Sequence, residues 1–133
     1  MTIDPRQVAE QGLLAAYAQR QSFPDIVRDL MRAGFESYLV EFRLGTATYF
    51  TPEGAAHVVP LPARHGPVAP GFAPDLVARA VRDAQTGADG YTFAGFCDRL
   101  CAAGGAGYLV SFSGRRVLYF GRTGETHVEH FPS

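Results

Sequence analysis

The sequence predicts an α+β fold in which two internally duplicated ααβββ units form one domain, with about four helices and about six mostly antiparallel strands. Three observations predict it: an internal repeat, aromatic and β-branched runs separated by glycine or proline, and helical runs that begin at capping residues. The chain has 133 residues, 47% of them hydrophobic and 19% charged, a balance typical of one globular domain. We therefore expect residues 1–133 to form a single domain.

An internal repeat organises the chain. Residues 23–62 align without a gap on residues 93–132, and fourteen of the forty positions are identical. Unrelated segments of ordinary composition would share roughly one position in fifteen. We interpret the repeat as a duplication, in which a first half (1–62) and a second half (75–133) are joined by a proline-rich linker (60–74). Prolines favour extended chain at the surface, so we expect the linker to run there.

Capping residues predict where the helices begin and end. Asp4 and Pro5 suit the N-cap and first turn of one helix, and Ser22 and Thr92 are N-caps of two others. Glycine at the end of a helix favours a left-handed cap, as at Gly34 and Gly104. The predicted helices are 5–19, 23–33, 75–86 and 92–103.

Three runs rich in aromatic and β-branched residues follow each of these two glycines, which predicts two three-stranded meanders. Alternation along the leading strands places Tyr38, Val40 and Phe42 on one face, where we expect the helices to pack. The predicted strands are 37–43, 47–51, 55–59, 107–113, 116–121 and 125–131.

Charge and composition exclude several classes of partner. The net charge is −1 and the isoelectric point is near 6.4, so we expect no nucleic-acid partner and no attraction to anionic lipid. The sequence has no run of 18 apolar residues and no visible export signal, so we expect no membrane association and a cytoplasmic location in a bacterium. A homodimer remains open.

Two cysteines, Cys97 and Cys101, lie four residues apart in a predicted helix. Thiolates at that spacing could hold zinc with a histidine. Their partners in the repeat are the apolar residues Val27 and Met31, which favours core packing of reduced thiols. We expect no metal and no cofactor.

Histidine recurs at the same strand position in both halves, as His57 and His127. Pseudo-symmetry could bring the two near the symmetry axis. His127 shares a strand face with Glu125 and Glu129, and that set could act as an acid, a base or a weak metal ligand. The alternative is a half-exposed histidine hydrogen-bonded across the sheet. His130 lies on the other face and His65 in the linker, so no four-histidine site is expected.

Arginines and tyrosines supply the remaining candidate binding residues. Arg115, Arg116 and Arg122 in the second meander could grip a phosphate or carboxylate, or could pair across the strands with glutamates. Recurrent tyrosines could line a cleft for a small ligand, or could be core residues with a bonded hydroxyl. The candidate ligand-binding residues are Arg115, Arg116, Arg122, His127, His57, Tyr108 and Tyr119, joined by Tyr38 and Tyr49 at the equivalent positions; no catalytic residue is assigned.

Two segments carry a family resemblance: GYLVSFSGRRVLYFGRTGETHVEHFP in the second half and FPDIVRDLMRAGFESY in the first. They resemble the YbcV/YdfO-like family of small bacterial proteins, and the likeness covers nearly the whole chain. Some members of that family carry the label phage envelope protein. The resemblance implies a functionally uncharacterised protein and transfers no catalytic residues.

Three functions remain open on the sequence. The leading hypothesis is a non-enzymatic module that binds a small organic or anionic ligand or a protein surface. The second is a small enzyme that uses His127 with Glu125 or Glu129 as acid and base. The third is a phage-derived structural or interaction protein. A deep concave pocket that contains both His127 and the arginines would favour the first two, and a flat exposed apolar patch would favour the third.

Overall fold

A computed structural model describes residues 4–132. That part of the chain forms four helices and a six-stranded antiparallel sheet, which confirms the predicted α+β class. The helices are α1 (Pro5–Tyr17), α2 (Phe23–Arg32), α3 (Pro74–Thr86) and α4 (Phe93–Ala102). The strands are β1 (Ser37–Glu41), β2 (Thr46–Phe50), β3 (Ala56–Pro60), β4 (Gly105–Ser111), β5 (Arg116–Gly121) and β6 (Thr126–His130).

The predicted caps are present at three helix starts. Asp4, Ser22 and Thr92 each accept a hydrogen bond from a backbone N–H in the first turn of the helix that follows. At the helix ends the structure differs from the prediction for α1, which stops at Tyr17 rather than near residue 19. Gln19 adopts a left-handed backbone with φ of 57°, and this closes the helix without a glycine.

The sheet has the strand order β3-β2-β1-β4-β5-β6, so the leading strands of the two halves meet at its centre. In the β1–β4 pairing Leu39 lies directly opposite Leu109, and Tyr38 lies opposite Val110. Within each half the neighbouring strands are antiparallel because they form a meander, and the central pair of β1 and β4 is antiparallel as well. The third strand of each meander therefore lies at an outer edge of the sheet.

Burial separates the two faces of the sheet. Tyr38, Val40 and Phe42 are buried, as the alternation predicted, and they belong to one core with residues of all four helices. Leu39, which points the other way, is only half-buried. Across the pairings one row on this second face crosses all six strands, and its members are Val58, Thr48, Leu39, Leu109, Leu118 and Val128.

The linker after β3 packs against the second half instead of running freely over the surface. Its backbone N–H groups at Ala69 and Ala73 donate to the carbonyls of Cys101 and Ala103 at the end of α4, at 2.9 and 2.8 Å. Val68 is 9% exposed and belongs to the core. These contacts cover the end of α4, whereas the corresponding Met31 of α2 is 54% exposed.

No helix within residues 4–132 is long and apolar enough to cross a membrane.

Candidate functional site: a cleft over buried tyrosines

Four tyrosines lie side by side on the helix-facing side of the central strands. The ring centroids are 5.1 Å apart for Tyr38 and Tyr49, 6.4 Å for Tyr38 and Tyr108, and 5.6 Å for Tyr108 and Tyr119. Strand order and register explain this arrangement, since tyrosine stands at an inward position on β2, β1, β4 and β5. We call Tyr38, Tyr49, Tyr108 and Tyr119 the tyrosine cluster.

The hydroxyl groups of the tyrosine cluster have no hydrogen-bond partner within residues 4–132. The four side chains are nevertheless 2–7% exposed, so their rings are fully part of the core. Over the same residues, no buried side-chain oxygen or nitrogen is both sealed from solvent and unpaired. The hydroxyls must therefore reach a space that solvent can enter.

For Tyr38, Tyr49 and Tyr108 that space is a cleft of about 430 Å³ between the sheet and the α1–α2 connection. Apolar rings form its sides, including Phe23 and Phe93, and Tyr91 also lines it. Tyr119 does not line the cleft. The remaining lining residues are Gly12, Leu13, Ala16, Gln19, Arg20, Gln21, Ser22, Asp25 and Ile26.

Burial raises the pKa of every member of the tyrosine cluster. Burial is the largest cause at Tyr38 and Tyr108, whose pKa values lie well above 10.0, and mutual repulsion with neighbouring tyrosines adds to the increase. The pKa values of Tyr49 and Tyr119 are also raised, mainly by burial. These phenols are therefore neutral hydrogen-bonding groups at physiological pH, and none of them is a ready proton acceptor.

The two recurrent histidines lie at opposite edges of the sheet. His57 lies on β3 and His127 on β6, the two outermost strands, so they are about 24 Å apart at five strand spacings of ~4.8 Å. The expectation that they meet near the axis is wrong, because a meander places its third strand outermost. His127 does contact Glu129, whereas Glu125 bonds Thr123 in the preceding turn.

The three candidate arginines are spread along the second meander, and each guanidinium bonds a backbone carbonyl. Arg115 donates to Pro132, Arg116 to Gly114 and Arg122 to Val68 of the linker. Arg116 and Arg122 stand at opposite ends of β5, about 20 Å apart along an extended strand. The structure therefore places Arg122 far from the adjacent Arg115 and Arg116, and none of the three lines the tyrosine cleft.

Both cysteines are buried and unbridged, as the repeat predicted: Cys97 and Cys101 are each 1% exposed. Burial raises the pKa of Cys101 to about 11 and that of Cys97 further, so both are protonated thiols near neutrality. Within the described chain, no three histidine, cysteine or acidic side chains come together as a metal site requires.

A buried histidine that sequence reasoning set aside connects three elements. The side chain of His65, in the linker, is 2% exposed. Its Nε2 lies 2.6 Å from the hydroxyl of Tyr17 on α1, and its Nδ1 lies 2.7 Å from a carboxylate oxygen of Asp98 on α4. Stacking on Tyr17 and an edge contact with Phe42 complete its surroundings. His65 therefore holds the linker against the helices.

We expect His65→Ala to lower the free energy of unfolding by about 2–3 kcal/mol, because it removes two hydrogen bonds and leaves a cavity. Urea denaturation followed by circular dichroism measures the loss. His130→Ala is the matched control, since His130 is exposed on the edge strand and should change stability by less than about 0.5 kcal/mol. Equal losses in the two variants would show that the His65 contacts contribute nothing to stability.

Comparisons of the chain with protein-family models and with curated proteins found no match.

Proposed function

We propose that the protein is a non-enzymatic binding module that holds a small organic ligand in the tyrosine cleft. One observation carries the proposal: three buried tyrosines, Tyr38, Tyr49 and Tyr108, line the same cleft, and their hydroxyls have no partner within residues 4–132. Water in the open cleft can bond these hydroxyls, but phenylalanine would fill the same space without placing a polar group in a largely apolar lining. Hydroxyls at these positions are therefore best explained by a ligand that bonds them.

The size and lining of the cleft fit this role. Small-molecule sites commonly measure roughly 300–1,000 Å³ and combine apolar walls with a few directed polar groups. The tyrosine cleft, of about 430 Å³, has phenylalanine side walls and hydroxyls on its floor. It therefore suits a ligand with an apolar ring system and a polar group at the buried end.

Binding is better supported than catalysis. The cleft is lined by a single carboxylate, Asp25, which is ion-paired with Arg28 one turn along α2, and by no histidine. The pair of His127 and Glu129 lies on the edge strand β6, outside the lining of the cleft. An acid and base pair facing the tyrosine hydroxyls is thus missing from the part of the chain that the structure describes.

We also propose that the two halves arose by duplication and that the chain belongs to the YbcV/YdfO-like family. The duplication is supported by the register, because the offset of 70 that aligns the sequences also relates Leu39 to Leu109, which pair directly at the centre of the sheet. The same offset relates the starts of α2 and α4 and the bounds of β3 and β6. The family assignment rests on the two sequence segments quoted above.

The proposal is tested with 6-hydroxy-2-naphthoate, a probe whose ring system fits the cleft and whose hydroxyl can reach the floor. We expect it to shift the amide resonances of residues 19–23, of residues 25 and 26 and of Tyr91 in two-dimensional NMR spectra. The triple variant Tyr38→Phe, Tyr49→Phe and Tyr108→Phe should bind it at least tenfold more weakly. Binding of 2-naphthoate, which lacks the hydroxyl, should be the same for both proteins.

Stability separates a binding role of the hydroxyls from a structural one. We expect the triple variant to be about as stable as the parent, because the three hydroxyls that it removes bond no group of the protein within residues 4–132. If the triple variant loses more than about 2 kcal/mol of unfolding free energy and still binds the probe as the parent does, the hydroxyls stabilise the fold and do not bind a ligand. Failure of both naphthalene probes to bind at millimolar concentration would also contradict the proposal.

A further inference from the structure

The mouth of the tyrosine cleft carries a free positive charge. Arg20, in the connection between α1 and α2, lines the cleft, and its guanidinium has no hydrogen-bond or ion-pair partner within residues 4–132. Arginine in such a position presents a planar fork of donors that matches a carboxylate or phosphate. This charge is distinct from the three arginines of the second meander, whose guanidinium groups bond backbone carbonyls.

Backbone donors lie next to this charge. The N–H groups of Gln21, Ser22 and Phe23 have no backbone or side-chain acceptor among the described residues, and all three residues line the cleft. They lead into the N-terminus of α2, a helix of 10 residues whose positive dipole end favours an anion. Consecutive free N–H groups at a helix start are a common way to hold a negatively charged group.

The carbonyl and carboxylate groups near the mouth already have hydrogen-bond or ion-pair partners. The end of α1 also reaches the mouth, but its carbonyls at Ala15 and Ala16 accept hydrogen bonds from Arg20 and Gln19 of the same turn. Asp25 is paired with Arg28. Donors and positive charge therefore predominate at the mouth.

The buried end and the open end of the cleft carry different polar groups. The hydroxyls of Tyr38, Tyr49 and Tyr108 lie at the buried end, the rings of Phe23 and Phe93 line the sides, and the donors around Arg20 lie at the open end. The hydroxyls of the buried tyrosines, and not the helix start alone, support a ligand at this place.

We propose that the ligand is a small organic anion, an aromatic or alicyclic acid whose charged group binds at Arg20 and the N–H groups of residues 21–23. Its apolar body lies between the phenylalanine rings, and a hydroxyl or carbonyl at the far end bonds the tyrosine floor. This inference rests on the proposed binding function and adds the chemical class of the ligand. A carboxylate and a phosphate ester would both suit this site, since each accepts hydrogen bonds from a guanidinium and from N–H groups.

The test compares 6-hydroxy-2-naphthoate with 6-hydroxy-2-naphthamide, which has the same shape without the charge. We expect the acid to bind at least tenfold more tightly than the amide in calorimetry or NMR titration. Arg20→Gln should remove most of this preference by weakening the acid about tenfold and leaving the amide unchanged. Raising the salt concentration should weaken only the acid.

Arg32→Gln is the matched control. Arg32 is an exposed arginine at the opposite end of α2, about 15 Å from Ser22 by the helical rise, and does not line the cleft. Its variant should bind both probes as the parent does. If Arg32→Gln weakens the acid as much as Arg20→Gln does, the effect is one of net charge and the anion site is refuted.

The possible failures are distinguishable. Equal affinity for acid and amide in the parent protein overturns the anion class and leaves the binding function intact. Absence of binding for both probes overturns the binding function itself. Naphthalen-2-yl phosphate, tested beside 2-naphthoate, which also lacks the hydroxyl, decides which kind of anion is preferred, and tighter binding of either one supports the proposal.

Discussion

The protein is expected to unfold cooperatively between about pH 10 and 12 because of its tyrosine cluster. Burial raises the pKa of Tyr38, Tyr49, Tyr108 and Tyr119 above the ordinary value near 10. In the unfolded chain the same phenols lose their protons near pH 10. The unfolded state is therefore favoured progressively as the pH rises from that value toward the raised values of the folded state.

The expected effect is large. A raised pKa stabilises the folded state fully below pH 10, where the phenol is neutral in both states, and this contribution is lost as the pH increases. One pH unit above 10, each buried tyrosine costs about 1.4 kcal/mol, so the four together cost on the order of 5–6 kcal/mol. Small domains have unfolding free energies of about 5–15 kcal/mol, so alkaline unfolding is expected near pH 11.

Two signals recorded together measure this transition. Phenolate absorbance at 295 nm and circular dichroism at 222 nm should change at the same pH, and the absorbance of the cluster should not rise before the fold is lost. The triple variant Tyr38→Phe, Tyr49→Phe and Tyr108→Phe has one tyrosine of the cluster left and should unfold at a distinctly higher pH. Phenolate absorbance that rises near pH 10 while the dichroism stays constant would show that the hydroxyls ionise within the fold.

Much of the fold could be predicted because its determinants are local. Asp4, Ser22 and Thr92 act through neighbouring residues, and alternation along β1 alone identifies its buried face. The end of α1 could not be predicted, since the left-handed residue there is Gln19 rather than glycine. In that conformation the Cβ atom of a non-glycine residue crowds the backbone, so the sequence alone does not predict that Gln19 adopts it.

Much of the candidate site could not be predicted, because it depends on contacts between residues that are distant in the sequence. The sequence placed Tyr108 among the binding residues, but the absence of a hydroxyl partner is a property of the assembled core. Arg20 was not singled out, because an arginine between two helices is ordinary until the cleft beside it is known. His65 was set aside with the linker, although packing against α1 and α4 buries it. Contacts between distant segments decide each of these cases.

From the sequence, Gly34 and Gly104 have the same predicted role, that of a left-handed helix cap. In the structure, the space around the two glycines differs greatly. Both glycines end a helix with a left-handed backbone, at φ of 97° and 89°. A Cβ atom at Gly34 would meet nothing within 4 Å. At Gly104 it would lie 2.0 Å from the carbonyl oxygen of Gly71 and 2.8 Å from the Cα of Phe72, because the linker crosses the helix end there.

Alanine substitutions at these two positions form a matched pair. Gly34→Ala should cost about 1–2 kcal/mol, the steric cost of the left-handed conformation for a residue with a Cβ. Gly104→Ala should cost this amount and at least about 2 kcal/mol more, because backbone atoms of the linker must move away and the hydrogen bonds of Ala69 and Ala73 are strained. Guanidinium denaturation measures both losses, and hydrogen exchange should show weakened protection of those two amides in Gly104→Ala alone. Equal losses and unchanged exchange would mean that the linker does not hold the end of α4, so the asymmetry between the halves would need another cause.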